Sequence, residues 1–395
     1  MKGEATILPP RAFHIPPLLI FGCGASEGVG EESRKLGVEK GLIVTDEVLI
    51  NLGILDNIKR ALSQAKVQFA IYSGVFTEPT VEFVQQGLKT YKENGCDFLL
   101  AVGGGSAIDT AKAIAVMATN AGSIEDYMGL NKIPKRGVPL IAVPTTAGTG
   151  SEVTQVAIIT DTKRDVKMLL ISPFLMSQKA IVDPLLTLSM PRGLTAAVGL
   201  DALTHAIEAY VSVKAQPMTD IFCLSAIELI SGNLRQAWSN GNNIEARGKT
   251  MLGALQAGIA FSNSSVALVH GMSRPIGAYF HVAHGVSNAA LLGVVTEFSL
   301  IGNPARYARV AQAMGENVEH LTILEAAGLA ARSIKRLVQD VKIPSLPELG
   351  VDKAKLDEVA PQMAEDAIAS GSPANNPRQA TKEEIIELYK LAYSQ

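Results

Sequence analysis

The chain has 395 residues, 47% of them hydrophobic and 18% charged, and its formal net charge at pH 7 is −3. This length and balance predict a folded protein of two domains, each able to bury its own hydrophobic core, and they exclude an intrinsically disordered chain. Because no cluster of Lys and Arg is interleaved with aromatic residues, we expect no nucleic-acid partner.

The N-terminal segment and the cysteines indicate where the protein works. Prolines recur in Met1–Pro17 where a signal peptide would have an apolar core, and no run approaches the ~18 apolar residues of a membrane span. Cys23, Cys96 and Cys223 are odd in number and far apart, so no disulfide framework is expected. We therefore expect a cytoplasmic protein without a membrane partner.

Strands and helices alternate in the first half of the chain. Apolar runs predict strands at residues 18–21, 40–45, 68–72, 97–102 and 139–143, and a hairpin at 155–160 and 167–171. Helical spacing predicts helices near 26–36, 55–65 and 80–94, with another beginning after Gly103. The alternation predicts a mostly parallel sheet with helices on both faces, whose ligands bind at the carboxyl ends of the strands.

Two polar segments directly follow predicted strands. Residues 103–115 (GGGSAIDTAKAIA) run from a strand into a helix, so close backbone approach and the helix N-terminus favour a phosphate there, although a simple tight turn is equally compatible. Residues 144–154 (PTTAGTGSEVT) offer threonine hydroxyls to phosphate or amide groups. Asp46 ends an earlier strand and could hold the ribose of NAD while repelling the 2′-phosphate of NADP, or it could be an exposed loop acid. The hairpin would place Lys167 near the cofactor.

Helical spacing replaces this alternation in the second half of the chain. The predicted helices lie near 195–211, 220–240, 244–262, 304–314, 323–341 and 382–393. We therefore place the boundary between an α/β domain (residues 1–185) and an all-α domain (residues 186–395) near residue 185. A small-molecule site is expected in the cleft between them.

An acid and three histidines in the helical half suggest a metal site. Asp201 precedes His205 by four residues, which places both side chains on one face of a helix. His270 and His284 follow in later segments, and one carboxylate with three imidazoles suits Fe²⁺ or Zn²⁺. On its own, the Asp201–His205 pair is equally compatible with a local cap and an ordinary histidine.

Four segments together resemble the iron-containing, or group III, alcohol dehydrogenases. They are GGGSAIDTAKA, PTTAGTGSEVT, GLDALTHAIEAY and LVHGMSRPIGAYFHVAHG, in the order and spacing of that family, and the resemblance extends from about Pro17 to the C-terminus. It implies an N-terminal dinucleotide-binding α/β domain and a helical C-terminal domain, a fold related to glycerol dehydrogenase and dehydroquinate synthase.

The resemblance also implies site residues. Those that match the family's metal ligands are Asp201, His205, His270 and His284. Those that match its pyrophosphate loop are Gly104, Gly105, Ser106 and Asp109. Those that match its other cofactor contacts are Asp46, Thr145, Thr146, Thr149 and Lys167. His281 matches no ligand, and we interpret it as structural or pocket-lining.

The chain departs from the family pattern at two positions. Glu78 replaces the first residue of the usual Asn-Pro-Thr segment, so a cofactor-side contact is expected to differ. Arg274 replaces the second histidine of the usual HxMxH segment, which puts a histidine proton relay in doubt. If the helix continues past Pro275, Arg274 points toward the metal and pairs either with a protein carboxylate, such as Glu78 or Glu208, or with a substrate anion.

We therefore expect a metal-dependent NAD(H) oxidoreductase that interconverts a small primary alcohol and its aldehyde by hydride transfer. The expected metal is Fe²⁺, with Zn²⁺ as the alternative, and the expected assembly is a homodimer or larger homo-oligomer. Alternative functions are a reductase of short anionic aldehydes (a semialdehyde or sulfonated aldehyde) gripped by Arg274, a non-redox lyase of the dehydroquinate synthase type, and a metal- or nucleotide-binding regulator.

Overall fold

Strands occupy only the first half of the described chain, which comprises residues 10–164 and 166–394 of a computed structural model. They are β1 (Leu18–Phe21), β2 (Lys40–Val44), β3 (Gln68–Tyr72), β4 (Phe98–Gly103), β5 (Gly129–Leu130), β6 (Leu140–Pro144), β7 (Val156–Asp161), β8 (Val166–Ile171) and β9 (Lys179–Val182). Six of them form a parallel sheet in the order β1-β9-β6-β4-β2-β3, and the other three form a small sheet in the order β5-β8-β7.

Helices separate the strands and make up the rest of the chain. Those before the last strand are α1 (Val29–Arg34), α2 (Glu47–Asn51), α3 (Leu55–Gln64), α4 (Val81–Glu93) and α5 (Gly105–Met117). Those after it are α6 (Arg192–Val211), α7 (Pro217–Ser239), α8 (Ile244–Ser264), α9 (Leu268–Phe280), α10 (His284–Ser299), α11 (Pro304–Ala313), α12 (Ile323–Asp340), α13 (Lys353–Ala369) and α14 (Lys382–Tyr393).

Both faces of the six-stranded sheet are buried, as the sequence predicts. Leu99 and Ala101 of β4 contribute to a core on one face, while Phe98, Leu100 and Val102 contribute to a core on the other. The predicted strands, the hairpin and the change to an all-helical second half are confirmed. The sequence analysis did not predict β5, β9, α2, α9, α10 or α13.

The helical half and the α/β half contribute residues to one hydrophobic core. Ala147, Val153, Ala180 and Val182 belong to the same buried cluster as the central helices α6, α8 and α10. Helix α10 with its following turn, His284–Gly302, is apolar and long enough to cross a membrane by composition. Of that window 61% is buried inside the described structure, which is typical of a core helix.

A sharp bend between α8 and α9 directs His270 into the centre of the helical half. The axes of these helices differ by 103°, and Ser265 at the break has a φ of 68°. Its backbone N–H donates to the carbonyl of Phe261, and its hydroxyl accepts from the Asn375 amide. These contacts hold a backbone conformation that side-chain-bearing residues rarely adopt.

Candidate active site

The predicted cofactor residues lie along the carboxyl edge of the parallel sheet. Asp46 follows β2, the Gly104–Ser106 loop follows β4, and the threonine segment follows β6. Because β4 lies between β2 and β6, the glycine loop is flanked by the other two segments. This is the edge where parallel sheets bind ligands.

Close packing joins the glycine loop to the threonine segment. The Thr145 N–H donates to the carbonyl of Gly103 at 3.0 Å. A Cβ placed on Gly105 would lie 2.8 Å from Cγ2 of Thr149, so a larger residue there would force the Thr149 side chain to shift. Helix α5 begins at Gly105, which leaves its first N–H groups beside the threonines, an arrangement that favours an anion.

Asp109 and Lys112 are committed to protein contacts behind this loop. The Asp109 carboxylate accepts from Ser151 Oγ at 2.5 Å and from the Ile158 N–H at 2.9 Å. The Lys112 ammonium is fully buried and donates to Ser151, Thr154 and Val156. The structure thus places Asp109 in a network that fixes α5 against β7.

Asp46 and Lys167 each contact a protein partner. Oδ1 of Asp46 accepts from the Leu49 N–H at 2.9 Å and caps α2. Nζ of Lys167 lies 2.6 Å from Oε2 of Glu78, and the two side chains are 34% and 55% exposed. Glu78, which replaces the first residue of the family's Asn-Pro-Thr segment, therefore pairs with Lys167, the lysine that the sequence analysis assigned to the cofactor.

Asp201, His270 and His284 converge in the helical half. Oδ1 of Asp201 lies 3.6 Å from Nε2 of His270 and 3.9 Å from Nε2 of His284, and one ligand atom from each lies within 4.8 Å of the others. Tetrahedral ligands about 2.1 Å from Zn²⁺ or a similar ion lie about 3.4 Å apart. The spacing and the mixed O/N donor set therefore fit a divalent transition metal.

The amide of Asn288 lies at the centre of these three residues. Its Nδ2 is 2.6 Å from Oδ1 of Asp201, 3.1 Å from Nε2 of His270 and 3.2 Å from Nε2 of His284. An amide carries only two N–H bonds, so it cannot satisfy three acceptors at once. A metal cation can bind all three acceptor atoms at once, which is a second reason why this donor set suits a metal.

Glu208 orients His270 from behind. Its Oε2 lies 2.6 Å from Nδ1 of His270, and its Oε1 accepts from the Val269 N–H at 2.6 Å. Although burial opposes the charged form, Glu208 and Asp201 raise the pKa of His270. In the neutral ring the Nδ1 proton faces Glu208, so the Nε2 lone pair points into the cluster.

His205 lies beside the cluster rather than within the three-residue group. Its ring stacks between Phe261 and His270, with centroid separations of 4.2 and 4.5 Å. Burial lowers its pKa to about 4 against the opposing charge of Asp201, so the ring is neutral at pH 7. Its Nδ1 is buried and has no hydrogen-bond partner among the described residues.

Glycine contacts bring the threonine segment and the start of α10 against the helix that carries Asp201. A Cβ on Gly148 would lie 2.5 Å from Cβ of Val198, three residues before Asp201 on α6. A Cβ on Gly285 would lie 2.6 Å from the carbonyl oxygen of Ala197. These approaches bring the threonine segment and the start of α10 against the same turn of α6.

The structure also places the remaining candidates. Helix α9 continues through Pro275 to Phe280, so Arg274 lies one turn after His270 on the same face. Among the described residues Arg274 forms no ion pair with Glu78 or Glu208, contrary to one alternative, and its Nη1 donates to Ser372 Oγ at 3.0 Å. His281 is exposed and ends α9 with a φ of 56°, away from the metal group.

Glu208 and Asn288 were not among the predicted site residues. Glu208 is seven residues after Asp201 on α6, and Asn288 is four residues after His284 on α10. Both spacings place the side chains on the same helical face as a predicted ligand. Helical spacing alone, however, does not show that Glu208 contacts His270 or that Asn288 contacts Asp201.

Comparisons with known proteins agree with this geometry. Residues 16–184 match the model of the iron-containing alcohol dehydrogenases, and residues 195–393 match that of the C-terminal region of the same family. The chain belongs to the iron-containing alcohol dehydrogenase family. It is 41% identical to a 1,3-propanediol dehydrogenase of Citrobacter freundii, covering 96% of this chain and 98% of that protein.

Further relatives agree in activity and structure. An NAD-dependent methanol dehydrogenase of Bacillus methanolicus is 40% identical, with 96% of this chain and 99% of that protein covered. A crystal structure of a 1,3-propanediol oxidoreductase superposes with a TM-score of 0.95 at 39% identity, covering 97% of this chain and 100% of that one. This iron-containing alcohol dehydrogenase is therefore an NAD(H)-dependent oxidoreductase of alcohols and aldehydes, and its fold is confirmed.

Proposed function

We propose that Asp201, His205, His270 and His284 hold the catalytic divalent metal of this alcohol dehydrogenase. The observation that carries the assignment is the convergence of ligand atoms from Asp201, His270 and His284, with spacings of 3.6 and 3.9 Å from the Asp201 oxygen. The Nδ1 of His205 is buried and has no hydrogen-bond partner within residues 10–164 and 166–394, which supports its inclusion as the fourth ligand. A metal bound there supplies Lewis acidity toward the oxygen of the alcohol or aldehyde.

The protein's own residues supply position rather than a nucleophile. We assign Gly104, Gly105, Ser106 and the α5 N-terminus to the pyrophosphate of NAD(H), and Thr145, Thr146 and Thr149 to the segment beside it. Asp46 holds the adenosine ribose, with Lys167 nearby and Asp109 fixing the loop from behind. The contacts of Gly148 and Gly285 with α6 hold the cofactor-binding segments beside the metal centre. This placement aligns the reacting carbon of the substrate with the reacting carbon of the nicotinamide.

We further propose that the chain divides near residue 185 into a cofactor domain and a metal domain. It works in the cytoplasm as a homodimer or larger homo-oligomer. The resemblance and the alternation of strands and helices support the division. Sedimentation of the purified protein checks the assembly, and a monomer at micromolar concentration contradicts it.

Metal depletion and reloading tests this function. Protein stripped with a chelator is reloaded anaerobically with Fe²⁺ or Zn²⁺ and incubated with NADH and a panel of short aldehydes. We expect NADH to be consumed in equal amount to the alcohol formed, and only in the reloaded protein. A lyase would turn over without net NADH consumption, and a regulator would bind without turnover; either result overturns the proposal.

A further inference from the structure

Arg274 places a cation beside the metal centre. It lies one helical turn after His270 on α9 and is partly buried. Burial lowers its pKa, with the Glu208 carboxylate acting in the opposite direction. The guanidinium therefore belongs to the face of α9 that carries His270.

The guanidinium is poorly satisfied by the protein. Its hydrogen bond among the described residues is the 3.0 Å contact from Nη1 to Ser372 Oγ, yet a guanidinium carries five N–H donors. No carboxylate of the described chain lies within ion-pair distance of it. Both oxygens of Glu208 are committed to Val269 and His270, and Glu78 is paired with Lys167.

Arg247 shows how this fold satisfies a structural guanidinium. It is only 3% exposed, and acceptors face all three of its nitrogens. Its Nε donates to the Gly241 carbonyl at 2.7 Å, its Nη1 to Thr195 Oγ1 at 3.1 Å and its Nη2 to the Met190 carbonyl at 3.1 Å. Arg274 lacks such a set, so most of its donors are available to a ligand.

We propose that Arg274 binds an anionic group on the substrate. Preferred substrates are then short aldehydes, and the corresponding hydroxy acids, that carry a carboxylate or sulfonate a few bonds from the reacting carbon. A planar guanidinium can hold such a group through two parallel hydrogen bonds, while Ser372 fixes its orientation.

The inference rests on the proposed function and adds the substrate class to it. Reduction of such an aldehyde consumes one NADH, whose hydride goes to the carbonyl carbon, and one proton, which goes to the oxygen. The anionic group is unchanged by the reaction. Its role is to anchor the molecule at Arg274 so that the carbonyl lies at the metal centre.

Two four-carbon aldehydes test the proposal. The value of kcat/KM is measured for succinic semialdehyde and for butanal in the wild type, in Arg274→Ala and Arg274→Gln, and in Arg336→Ala, an exposed arginine on α12 that serves as control. We expect the wild type and the control to favour succinic semialdehyde by on the order of 10- to 1000-fold. Both Arg274 variants are expected to bring the ratio close to one through a fall in kcat/KM for succinic semialdehyde.

A ratio near one in the wild type overturns the proposal, as does a large ratio that persists in either Arg274 variant. Glutamine keeps much of the side-chain length without the charge, so it serves if the alanine variant does not fold. Calorimetric binding of 4-hydroxybutanoate and 1-butanol separates the two proposals. An Arg274-dependent preference for the anion without any turnover contradicts only the proposed function, whereas turnover of both aldehydes without that preference contradicts only this inference.

Discussion

At the scale of single residues, the carboxylates of Glu208 and Asp201 differ in role because they contact different partners. Glu208 uses both oxygens to hold the start of α9, and Asp201 directs one oxygen at two imidazoles. Although burial opposes its ionisation, the imidazoles of His205, His270 and His284 keep the pKa of Asp201 well below its usual value. One acid thus orients the ring of His270, while the other faces the imidazoles of His270 and His284.

Replacing Glu208 by Gln tests its orienting role. The amide keeps the shape but loses the charge that holds the Nδ1 proton of His270, so we expect metal affinity to fall by about 10- to 100-fold. Competition with a fluorescent chelator measures the affinity, and Glu319→Gln, at an exposed position on the turn before α12, is the control. Unchanged affinity in Glu208→Gln would contradict the role.

Asp46 is expected to set the preference for NAD(H) over NADP(H). One of its oxygens caps α2, which leaves the other for the ribose hydroxyls and for repulsion of a 2′-phosphate. Asp46→Gly should therefore shift the ratio of kcat/KM values toward NADPH by about 10- to 1000-fold. Side-by-side kinetics with both cofactors give the answer, and a wild type that already prefers NADPH rules this role out.

Sequence reasoning identified the residues that converge but not their surroundings. The convergence of Asp201, His270 and His284 could be expected because the four motifs that carry the family resemblance include all three residues. Glu208 and Asn288 were missed because their roles depend on contacts across 62 and 87 positions of the chain, with His270 and Asp201 respectively. No local pattern encodes those distances.

At the scale of elements, the pattern of apolar residues predicted most strands and helices but missed two helices of the candidate site. Helix α10, which carries His284, is apolar on most sides and so lacks one-sided spacing, and α9, which carries His270, contains Pro275, a residue that usually ends a helix. Helix α13 also contains a proline, Pro361, and the sequence analysis missed it for the same reason. Strand β9 has only four residues, and its insertion between β1 and β6 is decided by tertiary packing.

The turn between β6 and β7 contains an acid whose titration affects stability. Glu152 is 4% exposed, and burial raises its pKa to about 7 despite nearby Lys112, whose own pKa burial lowers to about 8. In the folded protein Glu152 therefore keeps its proton between pH 4.5 and 7, where the unfolded chain releases it. The stability from this group is present below pH 4.5 and is lost as pH rises through about 7.

Glu152→Gln should remove that pH dependence. Relative to the variant, the wild type should lose on the order of 1–3 kcal/mol of unfolding free energy between pH 4.5 and 8. Urea unfolding of both proteins across this range measures the difference, in which the other titrating groups cancel. A difference that stays constant with pH would show that Glu152 does not titrate as described.

At the scale of the whole molecule, the two halves meet at a pair of glycines. Gly150 lies within the threonine segment and has a φ of 61°, and a Cβ added to it would lie 2.5 Å from Cα of Gly258 on α8. A Cβ on Gly258 would in turn lie 2.8 Å from Cα of Gly150 and 2.9 Å from Cγ2 of Val153. This backbone contact holds the threonine segment against helix α8.

Two glycines on α8 provide a matched test of this contact. Gly258→Ala should lower the unfolding free energy by about 1–3 kcal/mol because a methyl group must separate the halves. Gly248→Ala meets only Pro184 at 3.7 Å, so it should be neutral or stabilising by up to about 1 kcal/mol. Urea unfolding compares them, and equal effects at both positions would mean that the contact does not constrain the molecule.

Metal content tests the central claim most directly. Anaerobically purified wild type and His281→Ala should each carry one iron or zinc ion per chain when measured by mass spectrometry. Alanine variants of Asp201, His205, His270 and His284 should lose the ion together with turnover, since three protein ligands would hold it loosely. Full metal content and activity in the His270→Ala protein would contradict the account.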